Sequence, residues 1–99
     1  MIMTGKQKRH LRTIAHNLRP VVNLGKHGLS PETKKEIDAQ LLEHELIKLK
    51  LLDSCPISKK KCAHLLTYEN SLEVVQIIGK TLTLYCPHPE DPKIELPAA

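Results

Sequence analysis

Gly25, Lys26, His27 and Gly28, inside the stretch VVNLGKHGLSPE, are the residues whose types and spacing best suit chemistry with an anion. Glycine takes positive φ at little steric cost, so the amides of Lys26, His27 and Gly28 could point outward together. Lys26 adds a full charge, and the helix start that follows adds the positive end of a helix dipole. Pro31 removes one amide from that helix start, and Glu32 would partly repel an anion. The same four residues suit a plain strand-to-helix connection, and spacing alone leaves both readings open. A protonated His27 would strengthen phosphate binding; a neutral one is a solvent-facing loop residue.

Other candidate chemistry is weaker. Gly79, Lys80 and Thr81 invite comparison with a nucleotide phosphate loop, but that motif needs glycine at position 74, which is Val74, and a helix where a strand pattern follows. Lys80 therefore reads as a solvated turn residue. Zinc sites want four closely spaced ligands, and Cys55, Cys62, His64, Cys86 and His88 do not offer them. Cys62 reads as a small core residue. The three cysteines are an odd number without CxxC spacing, so they are expected to be reduced thiols rather than a disulfide framework. None of the six histidines sits in a nucleophile or metal motif, and we expect no catalytic residue, no metal and no cofactor.

Charge is distributed unevenly. Residues 1–31 carry Lys6, Lys8, Arg9, Arg12, Arg19 and Lys26 and no acid, a charge of +6, against −2 for the rest and +4 for the chain. One end is therefore cationic, which suits a polyanionic partner, although basic segments are often only solvated faces. The chain has no Phe or Trp and two tyrosines, Tyr68 and Tyr85. Readers of single strands that stack bases on exposed rings need more than that. A binding mode based on backbone and shape fits better, with structured RNA as its target.

These residues must be positioned by few elements. Ninety-nine residues suffice for one thin core, and its supply is aliphatic. No stretch approaches the roughly 20 apolar residues of a membrane span, and Lys6 precedes any apolar run of signal-peptide length, so a cytoplasmic protein is expected. Thr4 can cap a first helix, with Leu11, Ile14, Ala15 and Leu18 on its inner face and the charges outside; it should stop before Pro20. Val21, Val22 and Leu24 form a short strand ending at the Gly25–Gly28 loop. Ser30 then caps a second helix with Pro31 at its first position and Ile37, Leu41 and His44 on one face, widened by Ala39 and Leu42. A second strand starts near Leu46, where Ile47, Leu49 and Leu51 alternate with Lys48 and Lys50, giving one buried and one basic face. Ser58 caps a third helix that carries Cys62, Leu65 and Leu66 inward. Gly79–Lys80 joins strands at about 73–78 and 81–86 in a type II′ hairpin. The tail from Pro87 holds four prolines, and KIEL within it could add an edge strand. The order α-β-α-β-α-β-β implies an α/β fold with a mixed four-stranded sheet, parallel across the helical crossovers and antiparallel in the final pair.

The segments KQKRHLRTIAHNLRPVVNLGKHGLS and VVQIIGKTLTLY together resemble the CRM domain, the chloroplast RNA splicing and ribosome maturation domain, and are most similar to its small free-standing bacterial members. The resemblance covers about residues 4–86. It implies a single domain over 1–86 followed by a Pro-rich tail at 87–99, and a sandwich similar to the C-terminal domain of bacterial translation initiation factor three. It implies a non-enzymatic RNA-binding protein associated with ribosomal RNA in precursors of the large ribosomal subunit. The family's GKxG loop falls on Gly25, Lys26, His27 and Gly28, and its basic first helix on Lys6, Lys8, Arg9 and Arg12. Together with Arg19 these cations would meet phosphates, and the glycines would let an RNA backbone come close. Cys86 stands where the family often has a basic residue, residues 55–70 match poorly, and the tail HPEDP is acidic. No membrane or small-molecule substrate is expected. The competing reading is a protein-interaction module that docks on a ribosomal protein or assembly factor.

Overall fold

A computed structural model describes residues 3–70 and 72–98, with 69 and 70 described by backbone alone; residues 1, 2, 71 and 99, which fall within the expected 1–86 and 87–99 segments, lie outside that description. Helix α1 spans Gly5–Ala15, strand β1 Pro20–Leu24, helix α2 Pro31–His44, strand β2 Leu46–Leu51, helix α3 Lys59–Asn70, and strands β3 and β4 Glu73–Ile78 and Thr81–Tyr85. The element order is the expected one.

The helix starts follow from local capping. Thr4 Oγ1 accepts from the Gln7 amide at 3.2 Å while the Gln7 side chain accepts from the Thr4 amide at 3.1 Å, a reciprocal box at the head of α1. Ser30 accepts from Thr33 N ahead of α2, with Pro31 at the first helical position, and Ser58 accepts from Lys61 N ahead of α3. Gly79 takes φ +56° at the hairpin tip, while Lys80 keeps negative φ, the pattern of a type II′ turn.

The sheet runs β1-β2-β4-β3. Strands β1 and β2 are parallel, and β4 is antiparallel to both neighbours, so β2 and β3 run parallel with β4 inserted between them. Helices α2 and α3 cover one face. There Val22, Leu24, Ile47, Leu49, Leu51, Leu82 and Leu84 meet Ile37, Leu41, Cys62 and Leu66, all buried. Each such aliphatic side chain removed from water is worth about 1.5–3 kcal/mol, which is why a core without Phe or Trp holds. Helix α1 lies on the other face, over a smaller cluster of Met3, Leu11, Ala15, Leu46, Val75 and Tyr85. It covers only the end of the sheet where Leu46 pairs with Tyr85.

Several expectations change. Helix α1 ends at Ala15, well short of Pro20, so Leu18 lies outside the helix; Ile14 and Leu18 stay exposed while Leu11 and Ala15 are buried. His44, Ala39 and Leu42 do not join the inner face of α2, because the sheet accommodates only a narrow stripe of it. Strand β4 stops at Tyr85, and no strand forms at KIEL. The last difference has a clear cause. Glu45 is buried between α2 and β2 at φ 65°, and its carboxylate accepts from the amides of His88 at 2.9 Å, Lys93 at 2.7 Å and Ile94 at 3.1 Å. Those amides are spent on a side chain rather than on a ladder. Ile94 and Leu96 then pack on the α1 cluster, and Gln7 donates to the Pro97 carbonyl at 3.1 Å.

Candidate nucleic-acid interface

The Gly25–Gly28 connection is a tight turn that displays Lys26 and His27. Gly28 N donates to Gly25 O at 3.0 Å, which closes the turn with both side chains exposed at its tip. Only Gly28 uses positive φ, at +56°, and a Cβ there would meet Pro56 Cγ at 3.4 Å. At Gly25 an added Cβ would make only ordinary contacts, 3.6 Å from Ser54 Oγ and 3.8 Å from Leu52 Cδ1. The three outward amides expected from sequence are therefore two. Gly28 is glycine because its backbone is left-handed and its face is buried against Pro56. Charge at the tip, rather than an amide cradle, is what this turn offers an anion.

The basic residues of α1 do not act as one group. Arg9 and Arg12 line a cleft of about 540 Å³ with Thr13, His16 and Asn17 of the same helix end and Lys48, Gln76 and Ile78 of the sheet. A second cleft of about 210 Å³ continues from it past Leu18, Pro20, Thr81 and Thr83, sharing Lys48, Gln76 and Ile78. Among the described residues, no acid lines either one. Lys8 is tied to Glu73 at 3.5 Å, which neutralises part of its charge. Lys6 is exposed on the outer side of α1. Arg19 lies apart, on a groove with Ile14, Leu18, Val21, His44 and Ile94.

Lys48 and Lys50 are the members that site prediction from sequence missed. Both stand on the α1 side of β2, and Lys50 pairs with Asn23, two residues before the turn. The Lys48 row and Gly25, where the turn begins, are about 13 Å apart along the strand direction, four residues at about 3.3 Å each, and Lys50 fills the interval. The alternation of β2 announced a basic face; which helix shared that face was not legible. Further cations sit elsewhere: Lys34 and Lys35 are on α2 and Lys93 in the tail, Lys80 pairs with Asp53 at the hairpin tip, and Lys59, Lys60 and Lys61 open α3 on the far side of the sheet.

A bulge also shapes the cleft. Val74 pairs with Leu84 and Gln76 with Thr83, so Val75 is extra. It goes under α1, and the strand after it is rephased so that Gln76 and Ile78 face the α1 side. Tyr85 is buried, and Tyr68 is exposed on α3, where it stacks with His64 at 6.1 Å between centroids. Neither ring lines the cleft. Cys62 is sealed in the core, and burial, with Cys55 nearby, pushes its thiol up to about 12.

Comparison with known proteins places this geometry among relatives. Residues 3–85 match the model of the CRS1 / YhbY (CRM) domain. A Bacillus subtilis protein named as a probable RNA-binding protein is 41% identical over 97% of this chain and 100% of its own. A Haemophilus influenzae protein named as an RNA-binding protein is 40% identical over 96% of this chain and 95% of its own. The solution structure of a Staphylococcus aureus protein, described as a candidate RNA-binding protein, superposes with a TM-score of 0.79 at 41% identity, covering 97% of this chain and 100% of that one.

Proposed function

The chain belongs to the CRS1 / YhbY (CRM) domain family, and from that premise we propose that it is a non-enzymatic RNA-binding protein that associates with ribosomal RNA in precursors of the large ribosomal subunit. The observation that carries this reading is the succession Arg9, Arg12, Lys48, Lys50 on the half-open face of the sheet, with no acid lining the clefts and Lys26 and His27 displayed beyond its end. Cations spread over one surface meet successive charges of a sugar–phosphate backbone and position RNA without reading its sequence. Lys6 and Arg19 would contact flanking phosphates, while Lys8, already paired, contributes less. The absence of a side chain at Gly25 lets the RNA backbone approach the turn, where Lys26 supplies the charge.

The test is affinity for large-subunit ribosomal RNA fragments across a salt series. If about five phosphates are neutralised, log K falls with log salt at a slope of roughly −3.5 to −4.5. Lys26→Ala should weaken binding across RNA sequences alike and make the slope shallower by nearly one. An affinity indifferent to salt, or a Lys26→Ala protein that binds as the wild type does, removes the mechanism.

A second reading has its own support. The groove of about 370 Å³ beside edge strand β1 is lined by Ile14, Leu18, Val21, Leu46 and Ile47, an apolar surface that suits a segment of a ribosomal protein or assembly factor. An association with subunit precursors that survives complete nuclease digestion would favour it.

A further inference from the structure

The cleft between α1 and the sheet has more chemistry than phosphate binding needs. A surface for phosphates alone is served by cations. This one sets Arg9, Arg12 and Lys48 beside side chains that carry no charge. Arg9 and Arg12 come from the helix and Lys48 from the central strand, while Gln76 offers an amide with donors and an acceptor. Thr81 and Thr83 line the adjoining part with hydroxyls. Ile78 is 64% exposed there, a large apolar side chain placed in solvent by the β3 bulge. We propose that this cleft takes one unpaired nucleotide turned out of an RNA helix. The Arg9 and Arg12 guanidiniums and Lys48 hold its phosphates, the base lies over Ile78, and its edge meets Gln76. This rests on the RNA-binding reading and assigns it a structural preference.

Three observations support that occupant. The first is shape. The outer surface of an A-form duplex is convex and would not enter the cleft between α1 and the sheet. The cleft, at about 540 Å³, falls within the range of sites that enclose a small molecule. The second is the mixture of groups. Unpaired bases are recognised by an apolar or planar surface on one side and hydrogen bonds along an edge. Ile78 and Gln76, neighbours on one strand and one face, provide that pair. Ile78 is the surface on which the base rests, since Tyr85 is buried under α1 and Tyr68 lies on α3. The third is electrostatic. Among the described residues the lining holds two arginines, a lysine and a histidine and no carboxylate, so an anion such as a nucleotide is favoured over a basic protein segment or a neutral ligand.

The probes are RNA hairpins with one common stem, either fully paired or carrying a single bulged nucleotide, with all four bases represented. Fluorescence anisotropy at about physiological salt should show wild-type protein binding at least one bulged hairpin about tenfold more tightly, the effect of one or two hydrogen bonds and an apolar contact. The Gln76→Ala/Ile78→Ala protein should lose that preference while its affinity for the paired hairpin changes less than about twofold. A 4-thiouridine at the bulge should crosslink to peptides containing residues 9–17 or 76–83, a measurement on wild-type protein that is independent of how the variant folds. Equal affinity of the wild type for paired and bulged hairpins overturns the nucleotide pocket and leaves the RNA-binding reading standing. A preference retained by the double variant, or crosslinks confined to other segments, overturns the placement. Failure to bind any hairpin or ribosomal RNA fragment overturns the RNA-binding reading itself.

Discussion

Gly25 and Gly28 bracket the same turn but are glycine for different reasons. Gly28 has φ +56° and its missing Cβ faces Pro56, whereas Gly25 has no positive φ and an added Cβ there would make only ordinary van der Waals contacts. A left-handed backbone at a residue with a side chain costs about 1–3 kcal/mol. Gly28→Ala should therefore lower the midpoint of thermal unfolding clearly, while Gly25→Ala should leave it nearly unchanged and act, if at all, on RNA affinity. Circular dichroism melts beside a binding isotherm separate the two. Equal destabilisation by both substitutions would contradict this division of roles. The GxxG spacing was legible in the chain; that the Gly28 amide is used to close the turn on Gly25 was not, because hydrogen-bond bookkeeping depends on where the following segment packs.

At the scale of elements, α1 is the piece that most needs its cap. It presents only Leu11 and Ala15 as fully buried side chains and carries five cationic or histidine side chains in eleven residues. Its first turn holds no acid to favour the helix dipole, so the Thr4–Gln7 box is the main local device at that end. Thr4→Ala should cost about 0.5–2 kcal/mol. Amide hydrogen exchange should accelerate first along α1 and leave β2 and β4 protected. If exchange rises uniformly, α1 is coupled to the sheet more tightly than its buried stripe indicates. The cap at Thr4 was readable in the chain; the reciprocal bond from Gln7 came with the structure. The early end of the helix was not, because Ile14 and Leu18 kept an inward-facing period for which the structure supplies no covering surface.

For the molecule as a whole, Glu45 joins what looked like domain and tail. Its burial would raise the carboxyl, but the amides of His88, Lys93 and Ile94 and the positive charge of His88 outweigh that and hold it below its ordinary value of 4.5. A carboxyl lowered in the folded state stabilises fully above that ordinary value, and the contribution disappears as the pH falls through the lowered folded-state value. Glu45→Gln, which removes the charge from those hydrogen bonds, should destabilise by about 2–3 kcal/mol at neutral pH. The gap to wild type should narrow as the pH drops below 4.5. Thermal melts across an acid series measure it; a gap independent of pH would place the loss in hydrogen-bond matching, an NH2 donor standing where a carboxylate oxygen accepted, rather than in the charge. Because Ile94 and Leu96 sit on the α1 cluster, loosening this clasp should also raise exchange along α1.

What this sequence determined by itself is whatever repeats over a few residues. Caps at Thr4, Ser30 and Ser58, the two-residue alternation of β2, the Gly79 turn and the GKHG spacing all express interactions between neighbours, which travel with the chain wherever it goes. Tertiary structure alone decided that β4 slots between β2 and β3, and that α1 shields one end of a sheet face and leaves the other open. It also decided that one extra residue at Val75 turns Gln76 and Ile78 toward Arg9 and Arg12. A one-residue slip sends every later side chain to the opposite face. Its outcome is set by burial across strands far apart in sequence, which no local period records.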